Sequence, residues 1–157
     1  MARVLGLDPG TRVTGWGLLD GDTRTVTAVE FGRLLPSRNL SRPAALASLT
    51  EHLGELLGRL TPDVVVIETP FTGRFPQAAL ALAETRGALL VALGRWGGEI
   101  VEIEPARVKA AVVGHGRAEK QQVAYVVRHA LGLRAEPPPD AADALALALC
   151  HLRSVLP

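Results

Sequence analysis

The sequence predicts an α/β fold, a mixed sheet with helices on both faces, on three observations. Three apolar, strand-like runs separated by tight turns open the chain, which is the pattern of an antiparallel meander. Later strand candidates alternate with helical stretches, as in βα units. One of those strands, Asp63-Val-Val-Val-Ile-Glu68, is the compact β-branched type that is buried on both faces in parallel sheets.

The first strand runs from Arg3 to Asp8, and Pro9-Gly10 turns the chain. The second covers Val13–Leu19, with Asp20-Gly21-Asp22 as the next turn, and the third runs from Thr25 to about Leu35. Ser41-Arg42-Pro43 has the form of a helix start, and Leu46, Leu49, Leu53, Leu56, Leu57 and Leu60 follow at three- and four-residue spacings until Pro62. After the Asp63–Glu68 strand, the Ala/Leu-rich run Gln77–Leu93 predicts a second helix and Glu99–Glu104 a fifth strand closed by Pro105. Glu119–Leu131 and Asp140–Leu152 are the last two helices, so the predicted order is β-β-β-α-β-α-β-α-α. No internal repeat or linker interrupts it, and one domain spanning 1–157 is expected.

Composition narrows the functional classes. The chain has 157 residues, 48% of them hydrophobic, and 17 basic against 16 acidic side chains give a net charge of +1. That excludes a polybasic tail protein and an acidic disordered one, while leaving local patches open. Cys150 is the single cysteine, so neither an internal disulfide nor a thiolate metal cluster is expected. With no signal-peptide pattern at MARVLGLDPG and no apolar run of membrane-spanning length, a cytoplasmic protein is expected.

Four carboxylates suggest chemistry. Asp8 and Glu68 each end an apolar strand at the carboxyl edge, where open α/β sheets bind ligands. Taken singly, Asp8 could cap the Pro-Gly turn and Glu68 could begin a solvated loop. On neighbouring strands, however, two acids would meet at one point, where both ionise cheaply only if a cation joins them. Asp140 and Asp143 share one side of a helix at i, i+3 spacing. An N-cap followed by a capping-box acid would explain the same spacing, without preventing that helix from aiming its acids at the sheet edge. Four oxygen ligands suit Mg²⁺ or Mn²⁺, and such cations serve phosphodiester hydrolysis.

A nucleic-acid substrate would also need nearby positive charge. Between Pro105 and Arg134 stand Arg107, Lys109, Arg117, Lys120, Arg128 and Arg134 against Glu119 alone, a local charge of +5 that includes both lysines of the chain. Arginines on solvated helices are the plainer reading of the same run. Gly114-His115-Gly116 is either a loop closing on substrate or the turn between two helices.

The combination of LGLDPGTRVTGWG, VVVIETPF, ETRGALL, EIEPARVKAAVVGHGRAEKQQV and DAADALALALCH, in this order along nearly the whole chain, resembles the RuvC family of bacterial Holliday-junction resolvases, within the RNase H-like superfamily. The resemblance implies a five-stranded mixed sheet of order 3-2-1-4-5, which sets the strands of Asp8 and Glu68 side by side. It further implies that Asp8, Glu68, Asp140 and Asp143 are the catalytic, metal-binding acids, with Mg²⁺ (two ions per active site, Mn²⁺ substituting). Lys109 and Lys120 match the basic residues near the scissile phosphate, and Phe71 an aromatic that stacks on an unpaired base. Arg74 and Arg117 are added as DNA-binding candidates. Where the family often has an Asn and a Ser after that aromatic, this chain has Phe75 and Ala78.

The implied partners are a four-way DNA junction, a second copy of the chain and a RuvA–RuvB branch-migration complex. A homodimer suits the two-fold symmetry of a junction, and Leu80, Ala81, Ala83, Gly87 and Leu90 are candidates for its interface, or else for simple core packing. The implied reaction is a pair of symmetric nicks leaving 5′-phosphate and 3′-hydroxyl ends. Two competitors stand beside it: a nuclease of the same fold acting on RNA or an RNA–DNA hybrid, and an ATP-binding module of the actin and sugar-kinase type, which needs two lobes where this length provides for one.

Overall fold

The computed structural model describes residues 1–70 and 76–154. Its elements are β1 (Ala2–Asp8), β2 (Thr14–Gly21), β3 (Val26–Leu34), α1 (Arg42–Leu60), β4 (Val64–Glu68), α2 (Pro76–Trp96), β5 (Glu99–Ile103), α3 (Pro105–Val113), α4 (Lys120–Ala130) and α5 (Pro139–Ser154). The sheet order is β3-β2-β1-β4-β5, antiparallel across β3-β2-β1 and parallel across β1-β4-β5. The predicted meander and βα units are thus joined at β1, and the five-stranded mixed sheet of order 3-2-1-4-5 is the one expected.

Strand alternation sorts the helices into two layers. Leu5, Leu7, Trp16, Leu18, Val65 and Ile67 face the leucine stripe of α1 and the buried side of α2. Val4, Leu19, Val64, Val66 and Ile103 face the opposite way, onto α3, α4 and α5. Helix α5 is the most deeply set, with every residue from Ala144 to Cys150 buried. The start of α1 is capped as its sequence suggests, Ser41 Oγ accepting from Ala44 N–H, and Thr61 closes it in the left-handed region at φ 45°.

Three expectations are corrected. The turn after β2 starts only at the last residue of Asp20-Gly21-Asp22 and runs on to Thr25, because Asp20 is a ladder residue whose carboxylate accepts two 2.8 Å bonds from its cross-strand partner Arg3. The chain reverses instead at Asp22, whose Oδ1 accepts from the N–H groups of Arg24 and Thr25 at 2.8 and 3.0 Å. A helix, α3, stands where the sequence order had none: Pro105 occupies a position near its start, where a missing N–H costs nothing, and Gly114 at φ 103° ends it. Finally, α5 begins at Pro139, with Ala142 N–H bonded to Pro138 C=O, so Asp140 and Asp143 are inside the helix and not at its cap.

Candidate active site

The parallel register pairs Leu7 with Ile67, so the next residues, Asp8 and Glu68, end β1 and β4 side by side. Both fall on the α5 face of the sheet by alternation, since Leu7 and Ile67 pack the other way. Helix α5 reaches them by lying directly on the strands. A Cβ on Gly6 would overlap the carbonyl of Ala144, and only glycine lets backbone approach backbone so closely.

The helix that the sequence order omitted contributes half of the positive charge. Lys109 is on α3, and Lys120 is the first residue of α4, whose capping box has Gln122 Oε1 accepting from Glu119 N–H at 2.9 Å. Between these helices Gly114-His115-Gly116 forms the turn, tied to the core by Ala118, which is 1% exposed. The result is an open cleft of about 700 Å³ lined by Asp8, Glu68, Asp143, Lys109, Lys120 and Gly116, together with the apolar Val108, Val123 and Leu147.

Charge in the cleft is crowded. Burial pushes the Asp8 carboxyl up to about 7, and Asp143, Glu68 and Asp140 add to the rise while Lys120 opposes it. Glu68 is raised as well, chiefly by burial and then by Asp143, with Lys120 and Lys109 holding it back. Lys120 donates to Asp143 Oδ2 at 3.2 Å, and that carboxylate raises the ammonium above its ordinary range. Among the described residues, no three acid, imidazole or thiol side chains stand at metal-ligating spacing. Asp8, Glu68 and Asp143 nevertheless share one cavity, and every donor is a hard oxygen, the set that suits Mg²⁺ or Mn²⁺. The rise at Asp8 fits the same ligand, since a bound cation removes the penalty of ionising acids together.

Of the residues singled out from sequence, Asp8, Glu68, Asp143, Lys109 and Lys120 line this cleft. Asp140 is one helical turn before Asp143, outside the lining but near enough to act on Asp8. Arg117 is exposed on the α3–α4 turn beside the cleft, while Phe71, Arg74 and Phe75 lie outside the described residues. Sequence reasoning missed Glu104, taken for a strand end, which is the N-cap residue of α3 and lines the cleft with Thr69 and Pro70. The signal for it was Pro105 followed by Val108 and Val112 at helical spacing with Gly114 beyond.

Comparison with known proteins bears on the fold and the family. The family model described as Crossover junction endodeoxyribonuclease RuvC matches residues 4–151. The RuvC of Halorhodospira halophila is 45% identical over 151 residues, covering 96% of this chain and 90% of that protein. The RuvC of Alkalilimnicola ehrlichii is 44% identical over 153 residues, covering 97% and 92%. Among solved structures, T. thermophilus RuvC in complex with Holliday junction substrate superposes with a TM-score of 0.89 at 32% identity, over 96% of this chain and 93% of that one. With its sheet order, its acid-bearing strand ends and its near full-length matches, this chain belongs to the RuvC family of crossover junction endodeoxyribonucleases.

Proposed function

We propose that this protein resolves four-way DNA junctions by paired, symmetric hydrolytic nicks during recombination and repair, acting as one domain over residues 1–157. One observation carries the reading: Asp8 and Glu68 end adjacent strands in a cleft that Asp143 enters from α5 and two lysines enter from α3 and α4. The closest chemical use of such a site is phosphodiester hydrolysis.

In this reading Asp8, Glu68, Asp140 and Asp143 hold two Mg²⁺ ions, for which Mn²⁺ substitutes. The ions would supply the Lewis acidity that lowers the pKa of an attacking water and steadies the 3′ oxygen as it leaves. The protein does the rest by position. Lys120, already drawn to the acids, and Lys109, beside Glu68, hold the scissile phosphate against the carboxylates and offset charge as it builds on the phosphoryl oxygens. Inversion by water leaves a 5′-phosphate and a 3′-hydroxyl, ends that a ligase seals. Cys150 takes no part, since it is buried in the core with its thiol pushed up by burial. Phe71, Arg74 and Arg117 complete the DNA contacts of this proposal.

The partner of stated symmetry is a second copy of the chain, because two identical sites about a two-fold axis cut opposed strands alike. The outward face of α2, with Leu80, Leu90 and Val91 exposed, is the surface proposed for it. A RuvA–RuvB branch-migration complex is the further partner of this proposal, on the family resemblance alone. Among the described residues no helix is long and apolar enough to cross a membrane.

The test is strand cleavage of a mobile-core four-way junction beside linear duplex and RNA–DNA hybrid of the same sequence, with Mg²⁺, Mn²⁺ or chelator. Symmetric, ligatable nicks confined to the junction and dependent on metal are expected. Cleavage of the hybrid alone would move the substrate to RNA, and tight junction binding without turnover under either metal would overturn the enzymatic reading.

A further inference from the structure

We propose that Gly15 is a positioning residue for the reaction: its missing side chain is the space through which the start of α5 brings Asp140, and with it Asp143 one turn on, up to Asp8. The inference rests on the reading of these acids as the metal-holding set.

Gly15 is the direct antiparallel partner of Asp8 in the β1–β2 ladder. Cross-strand partners project to the same face, about 5 Å apart, so a side chain at 15 would stand beside the Asp8 carboxylate. That place is taken. A Cβ there would overlap the carbonyl group of Asp140 and lie 2.9 Å from Ala141 N, and both are backbone atoms that cannot rotate aside. Two residues further along the same strand and face, Gly17 meets a softer neighbour. Its Cβ would fall 2.6 Å from Cγ and Cδ2 of Leu145 and 3.2 Å from the Leu145 backbone N. Both glycines support α5, but Gly15 lies under the turn that carries the acids, while Gly17 lies under the turn beyond it.

An added methyl at 15 therefore lifts the acid-bearing turn away from Asp8. The body of α5 is held independently by its buried run from Ala144 to Cys150, and only Pro139 precedes Asp140 within the helix. The loss falls on the geometry of the acids, and misplacement by about 1 Å costs a catalytic site on the order of 10²-fold.

The experiment compares wild type, Gly15→Ala and Gly17→Ala as full-length proteins. Far-UV circular dichroism reports the fold, and Mn²⁺ titration of Tm without DNA reports metal binding. Junction affinity in chelator and single-turnover cleavage complete the set. Gly15→Ala is expected to fold, to bind junction within about 3-fold of wild type, to need at least about 10-fold more Mn²⁺ for the same rise in Tm, and to cleave about 10²-fold more slowly. Gly17→Ala is expected to lower Tm with the Mn²⁺ midpoint unchanged. The proposal is overturned if Gly15→Ala keeps the wild-type Mn²⁺ midpoint, if both variants shift that midpoint alike, or if Gly15→Ala fails to fold. A wild-type protein that neither responds to Mn²⁺ nor cuts would overturn the underlying reading instead, and is seen without any variant.

Discussion

Lys120 Nζ stands 3.2 Å from Asp143 Oδ2, the ion pair that reaches into the cleft among the described residues. The lysine side chain is 83% exposed, so the pair adds little to stability, and its value is the charge it keeps beside the acids. Lys120→Met is therefore expected to leave Tm within about 2 °C while slowing cleavage by on the order of 10²–10³, the usual cost of removing one group that steadies transition-state charge. Lys120→Arg, which keeps the charge with a different shape, should recover part of the rate. Single-turnover cleavage within about 3-fold of wild type for the methionine variant would remove Lys120 from the site.

Asp8 gives a pH-dependent prediction whose sign follows from its raised carboxyl. With the group pushed up to about 7 from 3.8, the folded protein retains a proton that the unfolded chain has released between those values. The native state binds the extra proton, so stability falls as pH rises through that window and the loss is complete above it. Asp8→Asn cannot ionise and escapes this loss. In chelator its Tm should exceed wild type by several degrees at pH 8, with the gap closing toward pH 4. The same variant should bind a junction normally and not cut it. Equal melting temperatures at pH 8 would mean that Asp8 ionises in the folded protein without penalty.

The outward face of α2 carries the prediction for assembly. Leu80 is 66% and Val91 50% exposed, and between and beyond them Gly87 and Gly94 have open space where a Cβ would be. The 80, 84, 87, 91, 94 spacing makes one seam along the helix, suited to close contact with a second copy. Leu80→Glu with Val91→Glu should give a folded monomer at micromolar concentration by light scattering, and a junction nicked on one strand at a time. A double variant that stays dimeric would place the interface elsewhere.

The sheet was legible because alternation and β-branching are local properties: Asp63–Glu68 and Arg3–Asp8 need only their own residues to declare themselves. The acids were legible one by one, as poor strand residues in apolar company. Their meeting was not, since it depends on a register between residues 60 positions apart, and the family resemblance supplied it. Helix α3 went unseen because its nine residues are short for a periodic pattern, and its Pro105 also ends a strand. Gly15 carried no signal by itself, as its significance lies in Asp140, which packs above it from the far end of the chain.

Lys109 and Arg117 should separate two kinds of phosphate contact. Lys109 is half-buried in the cleft lining and close enough to Glu68 to oppose the rise of its carboxyl, whereas Arg117 is exposed outside that lining. Each side chain that neutralises one phosphate contributes about 1 to the slope of log affinity against log salt. Lys109→Met and Arg117→Ala should therefore each flatten that slope by about 1, read as junction binding in chelator from about 50 to 200 mM salt. Their catalytic effects should differ. A contact that only tracks the backbone is lost as affinity, so saturating Arg117→Ala should cleave within about 3-fold of wild type, while Lys109→Met should stay on the order of 10²-fold slow at any concentration. If saturating protein restores Lys109→Met to the wild-type rate, that lysine steers the junction arm and leaves Lys120 as the cation at the reacting phosphate.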